Sequence, residues 1–305
     1  MAGEIVGGAV VAPPTAAGSG RTARLRRLAP FVPAGLILVV LFFVPLAVML
    51  VFSFWSTNER LDVVPVWTLE HYENFFSNPT YVRTLLKTLF IGAIVTVVCL
   101  IMAFAVAYFL ARYVSRRWAR IGLLLIIVPF WTSYLLRVYS WQAILGEHGA
   151  LNQVLMALGV ISEPSRLFIY NDIGTLIVLT YVYLPFAVLV LYASLDRFDF
   201  TQLTAAQDLG ASPYRAFRYI LLPQVRPGLI TACIFVFIPI LGEFLTPIMV
   251  GGASGLLIAN LVANFFKDAL VSEGSAVGFL VVAFVVVLLI IFRRYLRVED
   301  VYASG

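Results

Sequence analysis

Polar and apolar positions along this chain fall into long blocks instead of the short periods of a water-facing fold. Six apolar runs reach membrane-crossing length, at about residues 30–54, 85–111, 121–141, 173–195, 229–250 and 276–292. A helix rises about 1.5 Å per residue, so roughly 20 such residues cross a hydrocarbon core about 30 Å thick. The pattern predicts an all-α polytopic membrane protein with six transmembrane helices in one domain, residues 30–295. The first run is longer than a signal-peptide core and lacks a small-residue cleavage site, so it reads as a retained span. Residues 1–29 have too little apolar bulk to fold and read as a disordered basic tail; residues 296–305 form a second tail.

The one polar stretch with internal order is the loop 196–227, between the fourth and fifth runs. Asp199 with Gln202 reads as a capping pair opening a short helix, and Gly210 sits where a left-handed helix stop belongs. Ser212 then caps a second helix with Pro213 at its first position, and Pro223 and Pro227 are expected to end it. Tyr214, Phe217, Ile220 and Leu221 fall on one face of that second helix, while Ala205, Ala206 and Leu209 give the first a small face open to close approach. Each helix is shorter than the roughly 12–15 residues that hold an isolated helix in water, so docking must stabilise both.

Composition supports the membrane reading and charge orients it. With 62% hydrophobic residues, 12% charged and a mean hydropathy of +0.98, the chain is no ordinary soluble domain, where about a quarter of residues are charged. The net charge of +5 comes from arginines that flank apolar runs, which argues for bilayer orientation and against nucleic acid. Arg21, Arg24, Arg26, Arg27, Arg112, Arg116, Arg117, Arg120, Arg197, Arg215, Arg218, Arg226, Arg293, Arg294 and Arg297 all fall on one side of the six-span topology. Arg60, Arg83, Arg166 and Lys267 fall on the other. This imbalance places both termini and the loop 196–227 in the cytoplasm.

Several chemistries are excluded. No glycine-rich phosphate loop is present, since Lys87 follows Leu86 and Lys267 follows Phe266, so any ATP consumed must bind another chain. No nucleophile elbow, HExxH or paired Cys/His pattern marks an enzyme site. Cys99 and Cys233 lie inside apolar runs and form neither a disulfide framework nor a metal cluster. His71 and His148, in separate outer loops, read as solvated or structural. The outer loop 55–82 carries Glu59, Asp62, Glu70 and Glu73 and reads as a solvated acidic loop, the alternative being attraction of a cationic solute or a basic partner. The next outer loop, 142–172, contains a short helical pattern suited to the outer surface.

Arg137 and Glu243 are ionisable residues inside otherwise apolar runs, which makes each a functional candidate. Counted along straight helices from the cytoplasmic ends, both lie roughly 21–24 Å deep. One reading has them facing the pathway and pairing, directly or through the solute, as an outer gate; the other has Arg137 snorkelling outward and Glu243 tying helices together. Pro185, Pro239 and Gly242 are expected to loosen the fourth and fifth spans. Trp131, Tyr134, Tyr139, Trp141, Tyr181 and Tyr183 crowd the third and fourth; Tyr181 and Tyr183 are too deep for an interface belt and suit a passage for cations.

The run Ala205, Ala206, Gly210, Ile220, Leu222, Pro223 and Pro227 resembles the EAA loop of ABC importer permeases. Residues 128–155 and 242–262 are similar to the spermidine/putrescine permease subunits among them, and the similarity extends over about residues 30–295. The resemblance implies a type I importer fold in a bacterial inner membrane, with a second permease subunit, two ATPase subunits that hold ATP and Mg, and an extracytoplasmic solute-binding protein. It implies that Thr204, Ala205, Ala206, Asp208, Leu209, Gly210, Ala211 and Ser212 couple to the ATPase. Thr204 stands where the family usually has Glu, which puts that acidic contact in doubt. Polyamine is the first choice of solute, with aminoethylphosphonate and iron importers sharing the same signatures. A self-contained carrier or intramembrane enzyme is the reading from another class.

Overall fold

The computed structural model describes residues 32–296, and the predicted tails lie outside it apart from Leu296. It divides between Val51 and Phe52 into two units. The first holds nearly all of helix α1, Val32–Phe52, which is apolar on every face as a lipid-solvated helix must be.

The second unit opens with a two-stranded antiparallel hairpin, β1 (Trp55–Thr57) and β2 (Val63–Trp67), an addition to the all-α expectation. Helix α2 (Glu70–Ser77) leads into α3 (Pro79–Tyr113), which starts sharply because the Asn78 side chain accepts from Thr80 N–H and Pro79 fills the first position. Next come α4 (Arg116–Ile127), a 3-10 turn (Val128–Trp131), α5 (Tyr134–Leu145) and the surface helix α6 (Ala150–Ala157). Helix α7 (Asp172–Leu195) is capped by Asn171 and contains Pro185. The polar loop contributes α8 (Thr201–Asp208) and α9 (Pro213–Ala216), followed by α10 (Leu222–Leu241). A π turn (Pro247–Gly251), α11 (Ile258–Lys267) and α12 (Val271–Leu296) complete the order.

Among the described residues five helices are long and apolar enough to cross a bilayer, and the bent pair α4 with α5–α6 makes six where it counts as one span. Two expectations need correction. The third span is not one straight helix: residues 116–131 and 134–157 meet at 93°. Pro129 lacks the N–H that would continue the ladder and its ring crowds the carbonyl four residues back, so the chain turns through a 3-10 segment. Depth counted along a straight helix therefore fails for Arg137. In the fifth span, Pro223 and Pro227 do not end the second loop helix. The π turn Phe217–Leu221, in which Leu222 N–H reaches back to Phe217 O, directly precedes Pro223, Pro227 is carried inside α10, and the chain stays helical from Pro213 to Leu241.

The core is the packing of α3, α7 and α10. Val95, Cys99, Ala103 and Ala107 meet Val178, Leu179, Ala187 and Leu191, with Ala232, Val236 and Ile240 against them, all fully buried. In lipid, close backbone approach through small residues drives such packing. A Cβ on Gly228 would collide with Ser194, and Gly92 lies under Phe237. Large apolar side chains such as Phe90, Ile101 and Leu125 point outward, where hydrocarbon would solvate them.

A second apolar cluster gathers Phe75, Ile258, Phe265 and Val277 from α2, α11 and α12. Beside it His71 is buried, donating from Nε2 to Trp55 O (2.9 Å) with Nδ1 3.6 Å from a Glu273 oxygen, so His71 is structural and not solvated. His148 is exposed, as are Glu59, Asp62, Glu70 and Glu73.

Candidate functional site

The polar loop forms a two-helix step with one exposed face. Asp199 Oδ1 accepts from the N–H and hydroxyl of Thr201, which holds its carboxyl below the usual range and fixes the start of α8. Gln202 does not complete the expected capping pair; it accepts from Gln224 Nε2 (2.7 Å), tying α8 to α10. At the far end Gly210 has φ +89, Ala211 N–H reaches Ala206 O and Gly210 N–H reaches Gln207 O, the Schellman closure that the glycine predicted. Ser212 Oγ then accepts from Arg215 N–H and opens α9.

One face of this step is anchored and the other is free. Leu203, Ala216 and Leu221 are buried in the main core. Phe200 sits edge-on to Tyr108 and Phe198, under the Arg112 guanidinium (5.6 Å), and Phe217 meets Phe104. Thr204, Ala205, Asp208, Leu209, Gly210 and Ser212 are exposed, Ala206 and Ala211 half-buried, and Leu209 is 89% exposed. Tyr214, expected on the apolar inner face, is instead 69% exposed on the free side.

The intramembrane charges occupy two breaks in the helical framework. Glu243 follows Gly242 at the end of α10, and its Oε1 accepts from Leu245 N–H (3.1 Å) and Thr246 N–H (3.2 Å), capping the segment beyond the break. Its Oε2 accepts from the hydroxyls of Tyr134 (2.6 Å) and Tyr183 (3.3 Å). Arg137 lies at the bend in the third span, where Nη2 donates to Pro129 O (2.9 Å) and Thr132 O (3.2 Å) and the guanidinium rests over Phe130 at 4.6 Å. Both are 8% exposed. Arg137 and Glu243 thus form no direct ion pair; each satisfies backbone groups that its own helix break leaves open.

Of the candidate residues, Tyr134 and Tyr183 both reach Glu243 Oε2. Tyr181 packs on Trp141 and, with Arg137, Phe130 and Pro185, lines a mainly apolar cavity of about 340 Å³. Trp131 is 84% exposed at the bend and stands apart from the others. Sequence reading missed Thr246, which shares a 2.7 Å hydrogen bond with Tyr134, and Asn260, which donates to Phe244 O and accepts from Leu257 N–H. It also missed Lys87, whose Nζ lies 2.7 Å from Asp172 Oδ1 and donates to Ser254 O. Gly242 followed by Pro247 was the available signal for a break with a new helical start.

Residues 103–298 match the family described as binding-protein-dependent transport system inner membrane component. The chain belongs to this family. It is an ABC importer permease, a multi-pass inner-membrane transport subunit. This permease is 36% identical over 231 residues to the spermidine/putrescine transport system permease protein PotB of Escherichia coli, covering 76% of the chain and 83% of the relative. The PotB protein of Haemophilus influenzae is 33% identical over 74% and 79%. The inner membrane ABC transporter permease protein YdcU of Escherichia coli is 31% identical over 73% and 74%. A crystal structure of a bacterial ABC transporter involved in the import of the acidic polysaccharide alginate superposes with a TM-score of 0.73 at 14% identity, covering 90% of this permease and 96% of that chain. A crystal structure of a bacterial alginate ABC transporter in complex with alginate pentasaccharide-bound periplasmic protein gives 0.72. At 14% identity the likeness concerns the fold alone.

Proposed function

We propose that this permease carries a linear polyamine of the spermidine/putrescine class into the cell. In this reading it works beside a second, homologous permease subunit and receives solute from an extracytoplasmic binding protein. The chain itself holds no cofactor; ATP and Mg belong to a partner ATPase pair that seats on the step formed by Thr204, Ala205, Ala206, Asp208, Leu209, Gly210, Ala211 and Ser212. Closure of that pair pushes the step, and α10 transmits the push because it is helically continuous with α9. In this reading both termini and the step lie on the cytoplasmic side, the side that carries most of the arginines.

The observation that carries the cation reading is the Glu243 carboxylate. It is buried in a span, no Lys, Arg or His pairs with it among the described residues, and its side-chain partners are phenol hydroxyls that can yield to an ammonium group. Arg137 would repel a cation if it pointed into the same space. Its guanidinium is held at the bend by two carbonyls and an aromatic face and forms no ion pair with Glu243, which leaves the carboxylate open to an ammonium group. Further support comes from the 36% identical relatives named for spermidine and putrescine.

The test is uptake of labelled spermidine in cells lacking other polyamine routes and expressing this permease with its neighbouring ATPase and binding protein. Wild type is expected to accumulate label, and Glu243→Gln to lower uptake about tenfold or more while the protein level stays constant. Uptake unchanged in Glu243→Gln would remove the carboxylate from the pathway. No uptake by the wild-type complex would remove the polyamine.

A further inference from the structure

The two membrane charges sit at helix ends of opposite polarity. Arg137, a cation, meets the carbonyls that end the first half of the third span, at Pro129 and Thr132. Glu243, an anion, meets the N–H groups that begin the segment after the fifth-span break, at Leu245 and Thr246. Each charge therefore favours the partial charge of the end it closes. Each break is fixed locally, and a purely local pair of caps would leave the two breaks independent.

One side chain joins them. Tyr134 is the first residue of α5, one turn before Arg137 and directly after the bend. Its hydroxyl lies 2.6 Å from Glu243 Oε2 and 2.7 Å from Thr246 Oγ1. The phenol has one proton. Donated to the carboxylate, it forms a short charge-assisted bond, and the phenol oxygen then accepts from the Thr246 hydroxyl. Both bonds cross from the third span to the fifth. Tyr183 supplies a weaker third contact, at 3.3 Å, from α7.

We propose that Tyr134 is a positioning residue that locks the bend of the third span to the break of the fifth, so that the two breaks move as one gate. Arg137 sets the angle of the bend, Glu243 sets the break, and the Tyr134 hydroxyl transmits the state of one to the other. The inference concerns coupling between spans and stands whether or not the solute is a polyamine.

The experiment uses the full importer complex in lipid nanodiscs, spin-labelled at Val154→Cys on the bent arm and Ile248→Cys beyond the break. Both positions are exposed, and Cys233→Ser removes the half-buried native thiol. Wild type is expected to give one narrow distance distribution. Tyr134→Phe keeps the ring and deletes both bonds; it is expected to shift the ratio of the narrow population to a broad one by roughly tenfold, equal to about 1.4 kcal/mol. Thr246→Val, which deletes only the second bond, should shift it in the same direction and less. Glu243→Gln keeps one oxygen for the Leu245 and Thr246 N–H groups and turns an amide N–H toward the Tyr134 hydroxyl, which can accept it while donating to Thr246 Oγ1, so it should leave the distribution narrow even where it lowers uptake. That outcome separates the lock from solute binding. A distribution that stays narrow in both Tyr134→Phe and Thr246→Val overturns the proposal, as does one that broadens equally in Glu243→Gln.

Discussion

At the scale of single residues, burial and polar satisfaction decide what each side chain does. Gly228 shows this most simply. It faces Ser194 across the α7–α10 contact so closely that an added Cβ must displace backbone in one of the two core helices. Gly228→Ala is expected to destabilise the permease by roughly 1–3 kcal/mol. Removing the opposing Cβ with Ser194→Gly should recover part of that loss, less the cost of a second glycine in a helix. Thermal unfolding of the detergent-solubilised single and double variants checks both claims; a double variant no better than Gly228→Ala alone would mean that the clash is not the cause. The intramembrane charges follow the same logic. Glu243 and Arg137 stood out in the sequence because an unexplained charge in a span is costly, but their spacing gave no sign that each is matched to backbone groups of its own break.

At the scale of elements, what was legible depended on how much of the signal is local. The apolar runs gave α1, α3, α7 and α12 because length and hydropathy suffice, and Gly210, Ser212 and Pro213 gave the ends of α8 and α9 because caps are short-range. The bend after Ile127 and the unbroken passage from α9 into α10 were not legible. Whether a proline breaks a helix depends on whether neighbours donate to the freed carbonyls. Here Pro223 follows a π turn and Pro227 sits inside α10 without ending it, while Pro129 turns the chain elsewhere. The convergence of Tyr134, Thr246 and Glu243 was half visible: the tyrosine and the carboxylate were candidates, the threonine was not, since its role exists only across two spans. The step formed by α8 and α9 has its own test. Phe200 is the ring through which it leans on Tyr108, Phe198 and Arg112. Phe200→Ala should weaken that seat by about 1–3 kcal/mol, so that amide exchange in residues 201–209 quickens roughly tenfold while α7 stays protected. Exchange unchanged in residues 201–209 would show that Leu203 and the Gln202–Gln224 bond hold the step without the ring.

At the scale of the whole molecule, the orientation in the bilayer links sequence to mechanism. The proposed orientation puts the arginine-rich side in the cytoplasm, and the structure brings two of those arginine groups to the same end: Arg112, at the close of α3, lies over Phe200 of the polar loop. The hairpin, α2 and the start of α12 gather at the other end through His71, Trp55 and Glu273. A step that receives force from an ATPase must lie where ATP is, so the charge rule and the mechanical reading stand or fall together. Single cysteines at Tyr214 and Val154, both exposed, in a Cys233→Ser background that leaves Cys99 buried, make the test. A membrane-impermeant maleimide should label Val154→Cys in intact spheroplasts and Tyr214→Cys only after the membrane is opened. Addition of the ATPase subunit to inverted vesicles should then protect Tyr214→Cys, because that side chain stands on the free face of the step. Labelling of Tyr214→Cys from outside would place the step beyond the reach of any cytoplasmic motor and would overturn the coupling role of Thr204 to Ser212 together with the orientation.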